Sequence, residues 1–171
     1  TVEAAKLAWV LDELNKVAET ALELVETPME KNLVDAIQAS VDAIADVASY
    51  EAGAALLETL NTQVANAELS IEAYAKLAAV LDAANAELDR DFSEGLDAFY
   101  DAIDVAQAAY DGGTLNVEGV EAAILKLQED IYTFQMLNAD GTERFDVTDR
   151  FMTNPTLRKN ADGWAGSQPG L

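Results

Sequence analysis

The 171-residue chain contains no cysteine and no histidine. Without cysteine there is no disulfide, no thiol nucleophile and no thiolate metal site. Without histidine there is no Ser-His-Asp triad, and the usual zinc sites and di-iron bundles of the Glu-x-x-His type lose their ligands. Positive charge is scarce: 10 Lys and Arg face 32 Asp and Glu, a net charge of −22. Such a surface repels phosphate backbones and anionic lipid heads, so nucleic acid and cytoplasmic membrane surfaces are poor partners. No apolar run approaches the ~20 residues that cross a bilayer. The missing cysteines leave the compartment open, because a chain with a sufficient core needs no staples outside the cell.

Apolar residues are not scarce. They make up 50% of the chain, enough for a core despite the charge. Composition changes near Leu137. Residues 1–137 hold 29 of the 32 Ala, 27 of the 32 acids and 6 of the 10 bases, a net of −21, whereas the last 34 residues hold two of three Pro and four of nine Gly. The first part reads as helix, the second as loop or short strands. Thr1 is not an initiator Met and no signal peptide is present. The expectation is a processed chain or a segment excised from a longer protein.

Periodicity predicts the helices. Leu7, Leu11, Leu14, Ala18, Ala21 and Val25 form one face of a helix over about 2–25. Thr27-Pro28-Met29-Glu30 matches a capping box with Pro at the first helical position. It opens a second helix over about 28–49, with Leu33, Ile37, Val41, Ile44 and Ala48 inward. Next, Ser70 could cap a new helix with Leu69 against Tyr74 as a staple. The stripe nevertheless runs on from Leu57 through Leu60, Val64, Ala67, Ile71, Tyr74, Ala78, Leu81 and Leu88 without Gly or Pro, which favours one long helix over 53–89. Asp91 and Ser93 offer caps for a helix over about 92–110 with Phe92, Leu96, Phe99, Ile103, Ala106 and Tyr110 inward. Asp111-Gly112-Gly113-Thr114 breaks it. Asn116 or Thr114 caps a last helix over 117–137, striped by Val120, Ile124, Leu127, Ile131 and Phe134.

The reading is all-α: two tandem three-helix bundles, 1–68 and 69–138, sharing a long central helix, with an irregular tail over 139–171. A period near 70 residues points to a duplication. Fusion through a shared helix would support two units whose separate cores are small.

The stretch from Tyr74-Ala75-Lys76-Leu77 through Leu127 resembles the FIVAR-type three-helix module of bacterial surface proteins. Leu77, Leu81 and Leu88 match its first helix, Phe99, Ala102, Ala106 and Tyr110 its aromatic second, and Val120, Ala123, Ile124 and Leu127 its third. The first half lacks the aromatic anchors and the Gly-Gly turn. In the tail, Asp146-Val147-Thr148, Asn154-Pro155-Thr156-Leu157 and Ala161-Asp162-Gly163-Trp164 resemble the opening of a galactose-binding-like, carbohydrate-binding β-sandwich. There the usual aromatic after Asn-Pro is replaced by Leu157. Together these resemblances imply an exported, cell-surface or secreted protein and a role in attachment, spacing or glycan handling. A glycan or extracellular matrix protein is the expected partner, and no cofactor is expected.

Asp97, Asp101 and Asp104, and Asp89, Asp91 and Glu94, supply carboxylates, but a solvated acidic face explains them as well as acid-base chemistry does. Asn138, Asp140, Thr142 and Glu143 around Gly141 lack the spacing of a calcium loop, and no metal site is expected. Tyr74, Phe92, Phe99, Tyr110 and Phe134 sit at core spacing. Trp9, Tyr50 and Trp164 lie off the core stripes, as aromatics that stack on sugars or anchor interfaces do. Packing between helices, or a tail folded back through Trp164, would also account for them. The leading expectation is a non-catalytic spacer or attachment module. An acidic module that binds a basic protein is the first alternative, and an enzyme using carboxylates alone is the second.

Overall fold

A computed structural model describes residues 1–139. The order is α1 (Val2–Leu24), α2 (Lys31–Ala43), a 3₁₀ turn (Ile44–Asp46), α3 (Tyr50–Glu87), α4 (Leu96–Gly112) and α5 (Val117–Leu137). The chain is all-α, with no strand among the described residues. The tail motifs around Asn154-Pro155 and Trp164 lie outside those residues.

Helix α3 is the spine. Its 38 residues span ~57 Å at ~1.5 Å per residue. Ser49 caps it, its Oγ accepting from the Ala52 N–H at 3.2 Å. Residues 68–71 are continuous helix. Two cores lie along this spine. The first buries Leu14, Ala18, Ala21, Met29, Ile37, Leu60 and Ala67 among α1, α2 and the first part of α3. The second buries Tyr74, Leu77, Leu81, Phe99, Ile103, Val120, Ile124, Leu127, Ile131 and Phe134 among the rest of α3, α4 and α5. Each large buried side chain contributes about 1.5–3 kcal/mol of transfer free energy. Phe134 centres the second core, stacked on Phe99 at 4.3 Å and met edge-on by Phe92 at 5.5 Å. The expected aromatic core is therefore present, with Phe92 and Tyr110 packed partly buried at its margin.

Helix α5 starts where expected, with Asn116 Oδ1 accepting from the Gly119 N–H at 2.8 Å. Every residue of its predicted stripe is buried. Other boundaries differ, each for a tertiary reason. The Thr27-Pro28 capping box does not form. Instead α2 begins at Lys31, and the Glu30 N–H donates to Ser70 Oγ at 2.9 Å. Ser70 is fully buried inside α3 and caps a segment 40 residues away, where the sequence allowed it a new helix start. The helix predicted to Ser49 ends at Ala43, and Val47, not Ala48, packs on the core. On α1, Val10 is fully buried because its methyls cover Gly53 of α3, while Leu7 and Leu11 are half-buried. Gly53 permits that approach: a Cβ there would sit 2.6 Å from Val10 Cγ1.

Helix α4 starts at Leu96, not Phe92. Asn138, just past α5, claims the preceding loop. Its Oδ1 accepts from the Ser93 and Glu94 N–H groups at 3.1 and 2.9 Å, and its Nδ2 donates to Glu94 and Phe134 carbonyls at 2.9 and 2.8 Å. Gly95 then enters the helix at φ 72°, a left-handed turn that glycine adopts without strain.

The two bundles meet at a waist. The α1–α2 loop lies against the α4–α5 loop, and the Lys31 N–H donates to the Gly113 carbonyl at 2.8 Å. From α3, the Tyr74 hydroxyl donates to the Leu115 carbonyl at 2.8 Å and accepts from the Leu115 N–H at 3.2 Å. Side chains of α3 thus satisfy both loops at the point where the two cores join.

Candidate functional site

Two of the three aromatics singled out in the sequence come together. Trp9 sits on the outer flank of α1 and is 53% exposed, so it is not sandwiched between helices. Tyr50 is the first residue of α3. Their ring centroids are 6.5 Å apart, tilted by 38°. The contact follows from the Val10–Gly53 approach, which draws this part of α1 onto the start of α3. Lys6, one turn before Trp9, places Nζ 5.6 Å from the Tyr50 centroid and 3.6 Å from a Glu3 carboxylate oxygen. The result is a ledge: an exposed indole, a half-buried phenol, and a cation and carboxylate at its edge. Such a ledge offers an apolar face for stacking and charged groups for hydroxyls. Lys6 was legible as the i−3 neighbour of Trp9 but was not singled out. Trp164 lies outside the described residues.

The candidate carboxylates do not converge. Asp97, Asp101 and Asp104 are exposed along α4, and Asp89, Asp91 and Glu94 are exposed in and beside the α3–α4 loop. Among the described residues, no three acids are grouped to hold a metal ion. No helix there is long and apolar enough to cross a membrane.

Two open grooves lie at the waist among the described residues. One, of about 460 Å³, lies between the α1–α2 loop and the end of α4, lined by Pro28, Met29, Val34, Tyr110 and Gly113 among others. The second, of about 300 Å³, lies between Glu30 and Leu33 of the first bundle, Leu69 of α3, and Val117 and Glu118 of α5. Tyr74, whose hydroxyl is held by the Leu115 backbone at the waist, is 1% exposed. Burial pushes its hydroxyl pKa up, the Leu115 backbone bond pulls it back, and the nearby Glu30 carboxylate adds to the rise. Neither groove was legible in the sequence, because each is lined by segments far apart in the chain.

Compared with protein-family models, curated proteins and solved structures, the chain matches none.

Proposed function

We propose that this chain is a non-catalytic helical spacer and attachment module of a larger exported bacterial surface protein. The observation that carries the reading is α3, a single helix that belongs to both cores and holds the two bundles end to end over ~57 Å. A shared helix fixes the separation of the two ends more firmly than a linker of equal length. The FIVAR-like patterning of Tyr74–Leu127 and the sandwich-like motifs of the tail support the surface assignment. In this reading the Trp9–Tyr50 ledge is the contact point for a glycan or matrix protein.

Two measurements test it. Spin labels at Glu51 and Ala86, both exposed near the ends of α3, should give one narrow distance distribution near 50 Å. A broad or much shorter distribution rejects the spacer. On glycan and matrix-protein arrays, binding should persist from low to moderate salt and fall at least tenfold in Trp9→Ala. Absence of binding, or a Trp9→Ala variant that binds as the wild type does, rejects the ledge as the contact point.

A further inference from the structure

We propose that the smaller waist groove, between Glu30 and Glu118, receives a lysine or arginine side chain of a basic protein partner. The proposal is independent of the spacer reading and of the Trp9 ledge.

The groove is built from both bundles: Glu30 and Leu33 precede and open α2, Leu69 lies mid-way along α3, and Val117 and Glu118 open α5. Its apolar lining is uneven. Leu33 and Val117 are half-buried against their own cores, but Leu69 is 57% exposed. Leu69 projects from the spine where the bundles meet, and the helices of neither bundle cover it. An apolar lining of this size flanked by carboxylates fits a long cationic side chain, which lays its methylene stem on apolar surface and keeps its charged head among polar groups.

Charge selects that occupant. Among the described residues, no lysine or arginine lines the groove. Neither Glu30 nor Glu118 forms an ion pair with another described residue. The Glu30 side chain makes no capping bond either, since its backbone N–H is held by Ser70. Its carboxylate instead acts on Tyr74 across the waist. A cation seated here would gain two unneutralised carboxylates. A second copy of this chain would bring a net charge of −22 against the same charge. The long-range field draws basic proteins in general, and the groove gives one side chain a defined seat.

The test uses a 12-residue Lys-Ser peptide as probe, titrated calorimetrically and by NMR at 50 and 150 mM salt. Saturable binding is expected, with the largest amide shifts near Leu69 and Val117. Glu30→Gln with Glu118→Gln should weaken it at least tenfold, and Leu69→Ser at least fivefold. Glu19→Gln with Glu23→Gln removes the same charge from the exposed face of α1 and should change it less than twofold. Glu118 and Leu69 are exposed and the Glu30 side chain makes no bond with another described residue, so the variants should keep the wild-type circular dichroism and melting. Equal effects of the two double variants would reduce the interaction to general electrostatics and overturn the seat. Lack of effect in Leu69→Ser, or no saturation at 50 mM salt, would also overturn it. So would spermine binding with the same variant dependence where the peptide does not bind, or a dimer of this chain that Leu69→Ser dissolves.

Discussion

Tyr74 shows how much one side chain can carry in a helical protein. Its ring fills the end of the second core, 6.0 Å from Tyr110, while its hydroxyl both donates to and accepts from the Leu115 backbone. Tyr74→Phe keeps the ring and leaves the part-buried Leu115 N–H and carbonyl without that partner. The expected loss is about 1–3 kcal/mol in urea denaturation at pH 8. The sign of the pH dependence follows from the raised pKa. The folded state prefers the neutral phenol, so this stabilisation is complete below the ordinary value of 10.0 and is lost as pH rises through the higher folded value. The gap between wild type and Tyr74→Phe should therefore narrow from pH 8 to pH 11. A gap that stays constant or widens would show that the hydroxyl does not act as the geometry implies. The sequence marked Tyr74 as a core aromatic from its spacing. Its hydroxyl partner was not legible, because Leu115 lies 41 residues away on a loop.

At the scale of elements, glycine positions separate local from tertiary requirements. Gly113 ends α4 at φ 63°, and a Cβ there would meet the Met29 carbonyl oxygen at 3.0 Å. Gly113→Ala strains the backbone and pries the two waist loops apart, with an expected cost of about 2 kcal/mol. Gly112 next to it is helical, and a Cβ there would make only an ordinary contact with Thr114 Cγ2 at 3.7 Å. Gly112→Ala should be neutral or stabilising by up to about 1 kcal/mol. Thermal melts of the pair check this, and similar melting of the two variants would refute the waist contact. Gly53→Ala should destabilise through its clash with Val10, and a smaller residue at position 10 should recover part of that loss in a double-mutant cycle. The Asp-Gly-Gly-Thr break was readable, and so was α5, whose Asn116 cap and stripe are local signals. The start of α2 was not. Thr27-Pro28-Glu30 has the right local chemistry for a cap, but Ser70 takes the Glu30 N–H from across the molecule. The start of α4 moved for the same kind of reason, because Asn138 holds the Ser93 and Glu94 amides in a loop. Trp9 stood out by leaving the stripe of α1. Its pairing with Tyr50 depends on the Val10–Gly53 approach, which no single-helix pattern encodes.

For the whole molecule, charge and cooperativity oppose one another. Lys6, Lys16, Lys76 and Lys126 pair with acids one helical turn away, so these contacts stabilise single helices and do little to join them. The remaining acids repel, and the melting temperature should rise when salt goes from 20 to 200 mM as that repulsion is screened. Apolar packing on α3 and the hydrogen bonds at the waist hold the assembly together. A three-helix unit of this size has a small core, so losing one bundle exposes its stretch of the shared helix and removes the waist bonds that hold the other. Leu14 of the first core and Leu127 of the second are both essentially buried. Leu14→Ala and Leu127→Ala should each cost about 2–5 kcal/mol. If the bundles form one cooperative unit, either variant will lower hydrogen-exchange protection in both. Amides of α5, at the far end from Leu14, should lose protection in Leu14→Ala by a factor matching the global destabilisation. If instead α4 and α5 keep wild-type protection in that variant while α1 and α2 open, the bundles unfold separately, and α3 connects two independent domains without coupling them.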